Sequence, residues 1–313
     1  MFVSFFFAYL GCQVCLSSGY SVDAFERLAE TSRRGPQSTG VSRHLGDDAW
    51  WSIPPVVVTT GPYIAGTKGY HKVLGHMPSN LLGTKVESWI QASPDLPLKV
   101  LYFDDESMNQ SAYEISQILE SEGVVTGAYE AFNNLRPMAF KADLWRYMLL
   151  WERGGVYLDA DIVLNISLSK VIDFHRDTLV VTNDTRNFVY WNAVMAGVPR
   201  HPGLAAAVKL AVEHVQRRWY GDRPVDITGP GCLYTALAQP NLSSMYRIGL
   251  QHRKWPSRSR GPHSEITVYG GTQIVGRMDL AEESDFNPNQ DVAWGLLWRS
   301  HRAFCDEPGP PCM

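Results

Sequence analysis

Residues 141–163 read Lys-Ala-Asp-Leu-Trp-Arg-Tyr-Met-Leu-Leu-Trp-Glu-Arg-Gly-Gly-Val-Tyr-Leu-Asp-Ala-Asp-Ile-Val, and no other stretch restricts the fold as much. A helical segment with Asp143 and Arg146 on one face runs into Gly154-Gly155 and stops there. A short apolar strand over 156–158 then delivers Asp159 and Asp161 at a spacing of two. Strand side chains alternate, so residues two apart point the same way. Two hard oxygen donors therefore converge at a strand end, a setting for Mn²⁺ or Mg²⁺ against phosphate oxygens.

The flanking sequence supplies the rest of a layered domain. The β-branched run starting at Ile53 and ending at Thr60 predicts a buried strand, and 98–103 predicts a second, ended by Asp104-Asp105-Glu106. Helices are expected over 81–91, 112–122 and 204–219, with Pro137 as the first residue of the helix that carries Asp143. Further strands are expected over 178–182 and 265–269, and the Gly-rich 63–76 reads as a loop over a site. Strands alternating with helices predict an α/β domain with a mostly parallel central sheet. Ligands of such sheets sit beyond the carboxyl ends of the strands, where Asp104, Asp159 and Asp161 are expected to gather.

A chain of 313 residues can bury a sizeable core, and its net charge of −4 gives it no attraction for nucleic acid or an anionic surface. Residues 1–16 are uncharged and mostly apolar, shorter than the roughly 20 residues of a spanning helix, and small residues Ser17, Ser18 and Gly19 follow. The expected organisation is a signal peptide or signal anchor at 1–19 and a flexible stem at 20–51. A catalytic-type domain at 52–304 and a tail at 305–313 follow, and the N-terminal apolar segment offers membrane association. With Cys12 and Cys15 removed in a leader, Cys305 and Cys312 are expected to close a small loop and Cys232 to stay unpaired and buried. Sequons at Asn109, Asn165, Asn183 and Asn241 fit a secretory glycoprotein.

Two chemistries compete for the central stretch. Asp143 and Arg146, three apart, read either as a helix-surface ion pair of about 0.2–0.5 kcal/mol or as ligand-facing groups. Asp159 and Asp161 repel one another and need a cation or a hydrogen-bond network to stay ionised. Gly154-Gly155 is expected to permit close backbone approach near a ligand. Asp-x-Asp-x-Val, ending at Val163, also matches the opening of a phosphohydrolase motif in which the first Asp is a nucleophile.

The block from Lys141 to Tyr147, followed by Gly154-Gly155-Val156-Tyr157-Leu158-Asp159-Ala160-Asp161, resembles the signature of the glycosyltransferases of family 32. That family includes mannosyltransferases and α-1,4-galactosyltransferases, and the clostridial glucosylating toxins share its Asp-x-x-Arg and DXD elements. Ile53-Pro54, Ser88-Trp89, Pro94-Asp95, Asp104-Asp105, Asn192, His201-Pro202 and Thr228-Gly229-Pro230 follow in the family's order.

The resemblance implies a GT-A fold and retaining transfer of a hexose from a nucleotide-sugar donor, GDP-mannose or a UDP-hexose, to a glycan or glycolipid acceptor. The setting it implies is the secretory pathway, in the Golgi lumen. It implies Mn²⁺, with Mg²⁺ as the alternative, on Asp161 directly and with Asp159 in the metal shell and near the ribose. It places Asp143 and Arg146 on the donor-sugar hydroxyls, Asn192 in the substrate site and Trp298 on the diphosphate side. Two departures stand out. The first strand lacks the family's His and Trp, and the stretch from Ala293 to Trp298 lacks its His and Ser, for which His301 is the nearest substitute. Those losses keep a non-catalytic nucleotide- or glycan-binding relative as the second reading.

Overall fold

The computed structural model describes residues 52–61, 72–73, 81–185, 189–254, 264–278 and 291–308. The expected leader and stem, and all but Lys72-Val73 of the Gly-rich loop, lie outside these. Strand β1 (Val56–Thr60), the short β2 (Lys72–Val73), helix α1 (Leu81–Ala92), β3 (Lys99–Phe103) and α2 (Asp105–Ser121) open the domain. A short α3 (Ala128–Asn134), the central α4 (Met138–Arg153), β4 (Gly155–Leu158) and β5 (Ile162–Leu164) follow. Then come β6 (Leu179–Asn183), β7 (Tyr190–Gly197), α5 (Pro202–Gln216), α6 (Pro230–Leu237), β8 (Arg247–Lys254), β9 (Ser264–Val268), β10 (Ile274–Met278) and α7 (Asp291–Arg299).

The strands form one sheet in the order β2-β3-β1-β4-β7-β6-β8-β9-β10-β5. The α/β class holds, but the sheet is mixed rather than mostly parallel. Only β1–β3, β1–β4 and β6–β8 pair in parallel. The missed strands β2, β5, β7, β8 and β10 account for the difference. Short connections to neighbouring strands force antiparallel pairing, and only crossovers of a dozen or more residues give parallel pairs. β8, Arg-Ile-Gly-Leu-Gln-His-Arg-Lys, is too polar to read as a strand, and β7 is buried along its whole length and shows no alternation.

The order also fixes the shape. β4 and β5 stand six places apart in the sheet, yet only residues 159–161 separate them in sequence. A flat sheet would hold them roughly 29 Å apart at ~4.8 Å per strand, whereas so short a link spans at most about 14 Å. The sheet from β4 to β5 must therefore curl, and residues 159–161 bridge its mouth. Leu158, Ile162, Leu164, Val180, Trp191, Leu250 and Ile266 fill its interior as one apolar cluster.

On the other face lies α4, whose Leu144, Trp145, Tyr147, Met148, Leu149 and Leu150 have no exposed surface. Such all-round apolarity marks a helix enclosed by protein. Trp145 packs edge-on against Phe103, 4.9 Å between ring centroids, and donates its indole N–H to Ser111 Oγ at 2.8 Å. α4 is thus clamped between α2 and the sheet.

Three local expectations change. α2 begins seven residues earlier than its apolar periodicity suggested, because Asp104 caps it. Its carboxylate accepts from Ser107 N at 2.9 Å and Ser107 Oγ at 2.7 Å, and Asp105 and Glu106 complement the helix dipole. Asp104 is therefore engaged as a helix cap. Pro137 occupies the cap position of α4 rather than its first turn. Gly154 and Gly155, at φ 68° and 103°, close on protein rather than on a ligand. A Cβ on Gly155 would sit 2.6 Å from the Val56 carbonyl oxygen, at the end of β4 opposite the carboxylates.

The C-terminal residues are bound into the fold through Glu307. Buried Arg136 donates to the carbonyls of Arg302, Cys305 and Glu307 at 2.6, 3.3 and 2.7 Å. Cys305 is disulfide-bonded to a partner outside the described residues, and Cys232 is a free, buried thiol, as expected.

Candidate active site

β4 ends at Leu158, so the two carboxylates sit on a turn and not on a strand. Ile162 N donates to Asp159 O at 3.1 Å to close it, and Asp159 N donates to Ala193 O of β7 at 2.9 Å. Strand alternation therefore does not position Asp159 and Asp161; both lie on a tight reversal across the mouth of the curl. Both residues are half-buried.

Asp159 is held from two sides. Its Oδ1 accepts from Tyr157 Oη at 2.7 Å and lies 3.1 Å from Arg146 Nη1. Arg146 is buried on α4, lies over the Tyr157 ring at 4.3 Å, and donates to the Asn192 carbonyl at 2.9 Å. Its other terminal nitrogen lies 3.5 Å from Asp143 Oδ1. Asn192 Nδ2 donates to that same Oδ1 and to Tyr147 Oη, both at 2.8 Å. Tyr147 in turn donates to Gly229 O at 3.1 Å, just before α6. One guanidinium thus links two carboxylates from different elements, and one amide ties the set to β7. The pair Asp143–Arg146 is a buried network and not a helix-surface pair.

Burial dominates the electrostatics. It pushes the Asp143 carboxyl up from the ordinary 3.8 to about 6, against the opposing pull of Arg146 and Asn192. Burial works against the charge on Arg146 too, but the facing Asp159, Tyr157 and Asp143 outweigh it and hold the guanidinium protonated. The Tyr147 and Tyr157 phenols are pushed well up by burial, so both remain hydrogen-bond donors.

The structure joins Asp143, Arg146, Asp159 and Asn192 in one network and sets Asp161 two residues further along the same turn. Trp298 sits on α7 and donates its indole N–H to Tyr220 O at 2.7 Å, and no described contact joins it to the carboxylates. Exposed His301 packs at a tilt against Tyr220, with ring centroids 4.3 Å apart. Tyr147 and Tyr157 were not anticipated, although spacing could have found them. Tyr147 lies one helical turn after Asp143, and Tyr157 two strand residues before Asp159.

The donor set suits a small hard cation. Among the described residues no group of three or more His, Cys, Asp or Glu converges as a complete metal cage. Two turn carboxylates suffice where phosphate and water oxygens complete the shell.

Residues 79–178 match the family described as "Glycosyltransferase sugar-binding region containing DXD motif". The matched span contains α4, β4 and the Asp159–Asp161 turn. The likeness is to a DXD glycosyltransferase region and is confined to that span. Within this chain, 96 residues are 31% identical to the Mannosyl phosphorylinositol ceramide synthase SUR1 of Saccharomyces cerevisiae. The match covers 29% of this chain and 22% of that protein, so the chain spans about a fifth of the length of this curated relative. A solved structure titled "PaToxG Glycosyltransferase" aligns over 71% of this chain and 79% of its own, with 14% identity and a TM-score of 0.42. Among the described residues no helix is long and apolar enough to cross a membrane.

Proposed function

We propose that this chain is a divalent-metal-dependent, retaining hexosyltransferase of the GT-A type. Its donor is a nucleotide sugar, GDP-mannose or a UDP-hexose, and its acceptor is a glycan or glycolipid of the secretory pathway, with the Golgi lumen as its site. The observation that carries this reading is the bridge from Asp143 through Arg146 to Asp159, which holds the DXD turn in one arrangement.

Asp159 and Asp161 would hold the cation, Mn²⁺ or Mg²⁺. Bound there, it supplies Lewis-acid neutralisation of the leaving diphosphate. The remaining work falls to the chain's own side chains. Arg146 spends its guanidinium inward, so it orients both carboxylates instead of reaching far toward the sugar. Among the described residues, Asp143 Oδ2 has only the long 3.5 Å hydrogen bond from Thr228 Oγ1, which leaves it to accept from a donor-sugar hydroxyl. Asn192 keeps Asp143 in that pose. Tyr157 holds Asp159 through its hydroxyl, and Trp298 on α7 is the residue proposed for the diphosphate side. Preorganised charge of this kind serves an oxocarbenium-like transition state better than a strong nucleophile does. Asp159, gripped by Tyr157 and Arg146, is badly placed as the attacking carboxylate of a phosphohydrolase.

The test is donor hydrolysis and transfer from GDP- and UDP-sugars with added Mn²⁺. The half-exposed Asp161 should tolerate Asp161→Ala without loss of fold while activity drops on the order of 10²–10³-fold. Full activity in that variant would refute the assignment. Metal-dependent nucleotide binding without turnover on any acceptor would favour the non-catalytic reading.

A further inference from the structure

The same mouth of the curled sheet carries a second cluster that the donor chemistry leaves unused. His252 on β8 is 7% exposed, and among the described residues neither ring nitrogen has a hydrogen-bond partner. Its ring lies flat on Trp191, with centroids 4.0 Å apart and planes within 11°. The nearest carboxylate oxygen, Asp184 Oδ1, is 3.7 Å from Nδ1, beyond hydrogen-bonding reach. A neutral imidazole must place one N–H donor and one acceptor, and leaving both unmet inside a protein is costly.

A second orphan stands beside it. Ser264 Oγ on β9 is buried at 2% exposure and likewise has no partner among the described residues. His252 pairs with Ile266 across the two strands, and Ser264 lies two residues from Ile266 on the same face. The two polar groups are thus diagonal neighbours, their Cβ atoms within roughly 7–8 Å.

Register relates them to the carboxylate turn. Ser264 pairs with Met278, and Met278 pairs with Ile162, the residue that follows Asp161. Ser264 therefore sits two strands, ~10 Å, from the end of the turn. His252 is one row deeper in the same curl. β7 links the two sides, since consecutive strand residues face opposite ways. Asn192 bonds Asp143 while Trp191 turns inward onto His252.

We infer that His252 and Ser264, with Trp191 as a wall and Asp184 beside the ring, form a subsite for hydroxyl groups of the acceptor sugar. Its class of ligand is a polyol that can donate to one imidazole nitrogen, accept from the other and engage the Ser264 hydroxyl. The inference rests on the transferase reading for the word acceptor, but not for the presence of a glycoside-binding site.

The experiment separates the two. The full chain labelled with ¹⁵N-histidine is titrated with methyl α-mannopyranoside, methyl α-glucopyranoside and methyl β-galactopyranoside. The His252 imidazole resonances should move with at least one of them. With that glycoside as acceptor, His252→Phe keeps the stacked ring and should raise the acceptor KM about tenfold or more with a much smaller change in kcat. Ser264→Ala should raise it by a smaller factor. Cooperative melting of both variants checks that they fold. His252 resonances unmoved by all three glycosides would overturn the inference and leave a buried water as the partner of both orphans. Equal falls in kcat and in acceptor affinity would also overturn it, pointing to a packing role. Absence of donor hydrolysis in the wild type would refute the transferase reading alone, because the glycoside titration decides the subsite independently.

Discussion

Around Arg146, the buried polar groups are matched: the guanidinium faces two carboxylates and the Asn192 carbonyl, Tyr157 donates to Asp159, and the Asn192 amide donates to Asp143 and Tyr147, in contacts of 2.7 to 3.5 Å. Around His252, on the opposite face of the same sheet, two ring nitrogens and a serine hydroxyl are buried without hydrogen-bond partners among the described residues. A network satisfied from within is rigid before any ligand arrives, and it suits a site that must hold charge in place. A set of buried donors and acceptors left open carries an energetic penalty that a ligand can relieve. The two regions thus divide the mouth into a preorganised half and a half that gains by being filled.

Breaking the matched half should cost most. Arg146→Ala strands Asp143 and Asp159 without their shared counter-charge, and chemical denaturation should show a loss of about 3–5 kcal/mol. A loss below about 1 kcal/mol would show that the network does not anchor the turn. The next effect is pH-dependent. Because burial raises the Asp143 carboxyl from 3.8 to about 6, its contribution to stability is fully present below pH 3.8 and is lost as pH rises through about 6. Asp143→Asn should therefore gain on the wild type between pH 4 and pH 7, by up to roughly 3 kcal/mol. Thermal melts across that range check it, and parallel curves would refute the shift. Activity should run the other way in the wild type, falling as pH drops through about 6 and Asp143 loses the charge that Arg146 and the donor site use.

Asn192→Leu removes one amide that serves both Asp143 and Tyr147, and should cost about 1–3 kcal/mol by denaturation. The smallest effect is expected on the open half. Ser264→Ala deletes a hydroxyl that bonds nothing described, so stability should change by no more than about 1 kcal/mol and in the direction of gain. A clear loss there would mean that Ser264 is satisfied after all, and the contrast between the halves would fail.

The residues of the matched half were legible because chemistry and spacing coincide in one run of sequence. Asp143 and Arg146 share a helix face, Gly154-Gly155 ends the helix, and Asp159 and Asp161 follow at once. Even there the reason for their convergence was misread, since a turn and not a strand carries the pair. Asp104 was misassigned because a carboxylate after a strand looks the same in sequence whether it binds a ligand or caps the next helix. Its cap role depends on Ser107 three residues on. His252 and Ser264 gave no signal at all, each being one polar residue among several in its strand, with no motif around it.

The sequence by itself determined the local devices: the helix that stops at two glycines, the apolar strand, and the acidic turn that the DXD glycosyltransferase region shares. Periodicity and chain reversal act over a few residues, so they survive without knowledge of the neighbours. Only the tertiary structure decided that the sheet is mixed, that it curls until β4 and β5 nearly meet, and that Arg146 joins carboxylates thirteen residues or less away to Asn192 on a third element. Those facts arise from pairing between distant strands, where many partners satisfy the same backbone groups and the packing of the whole core selects one.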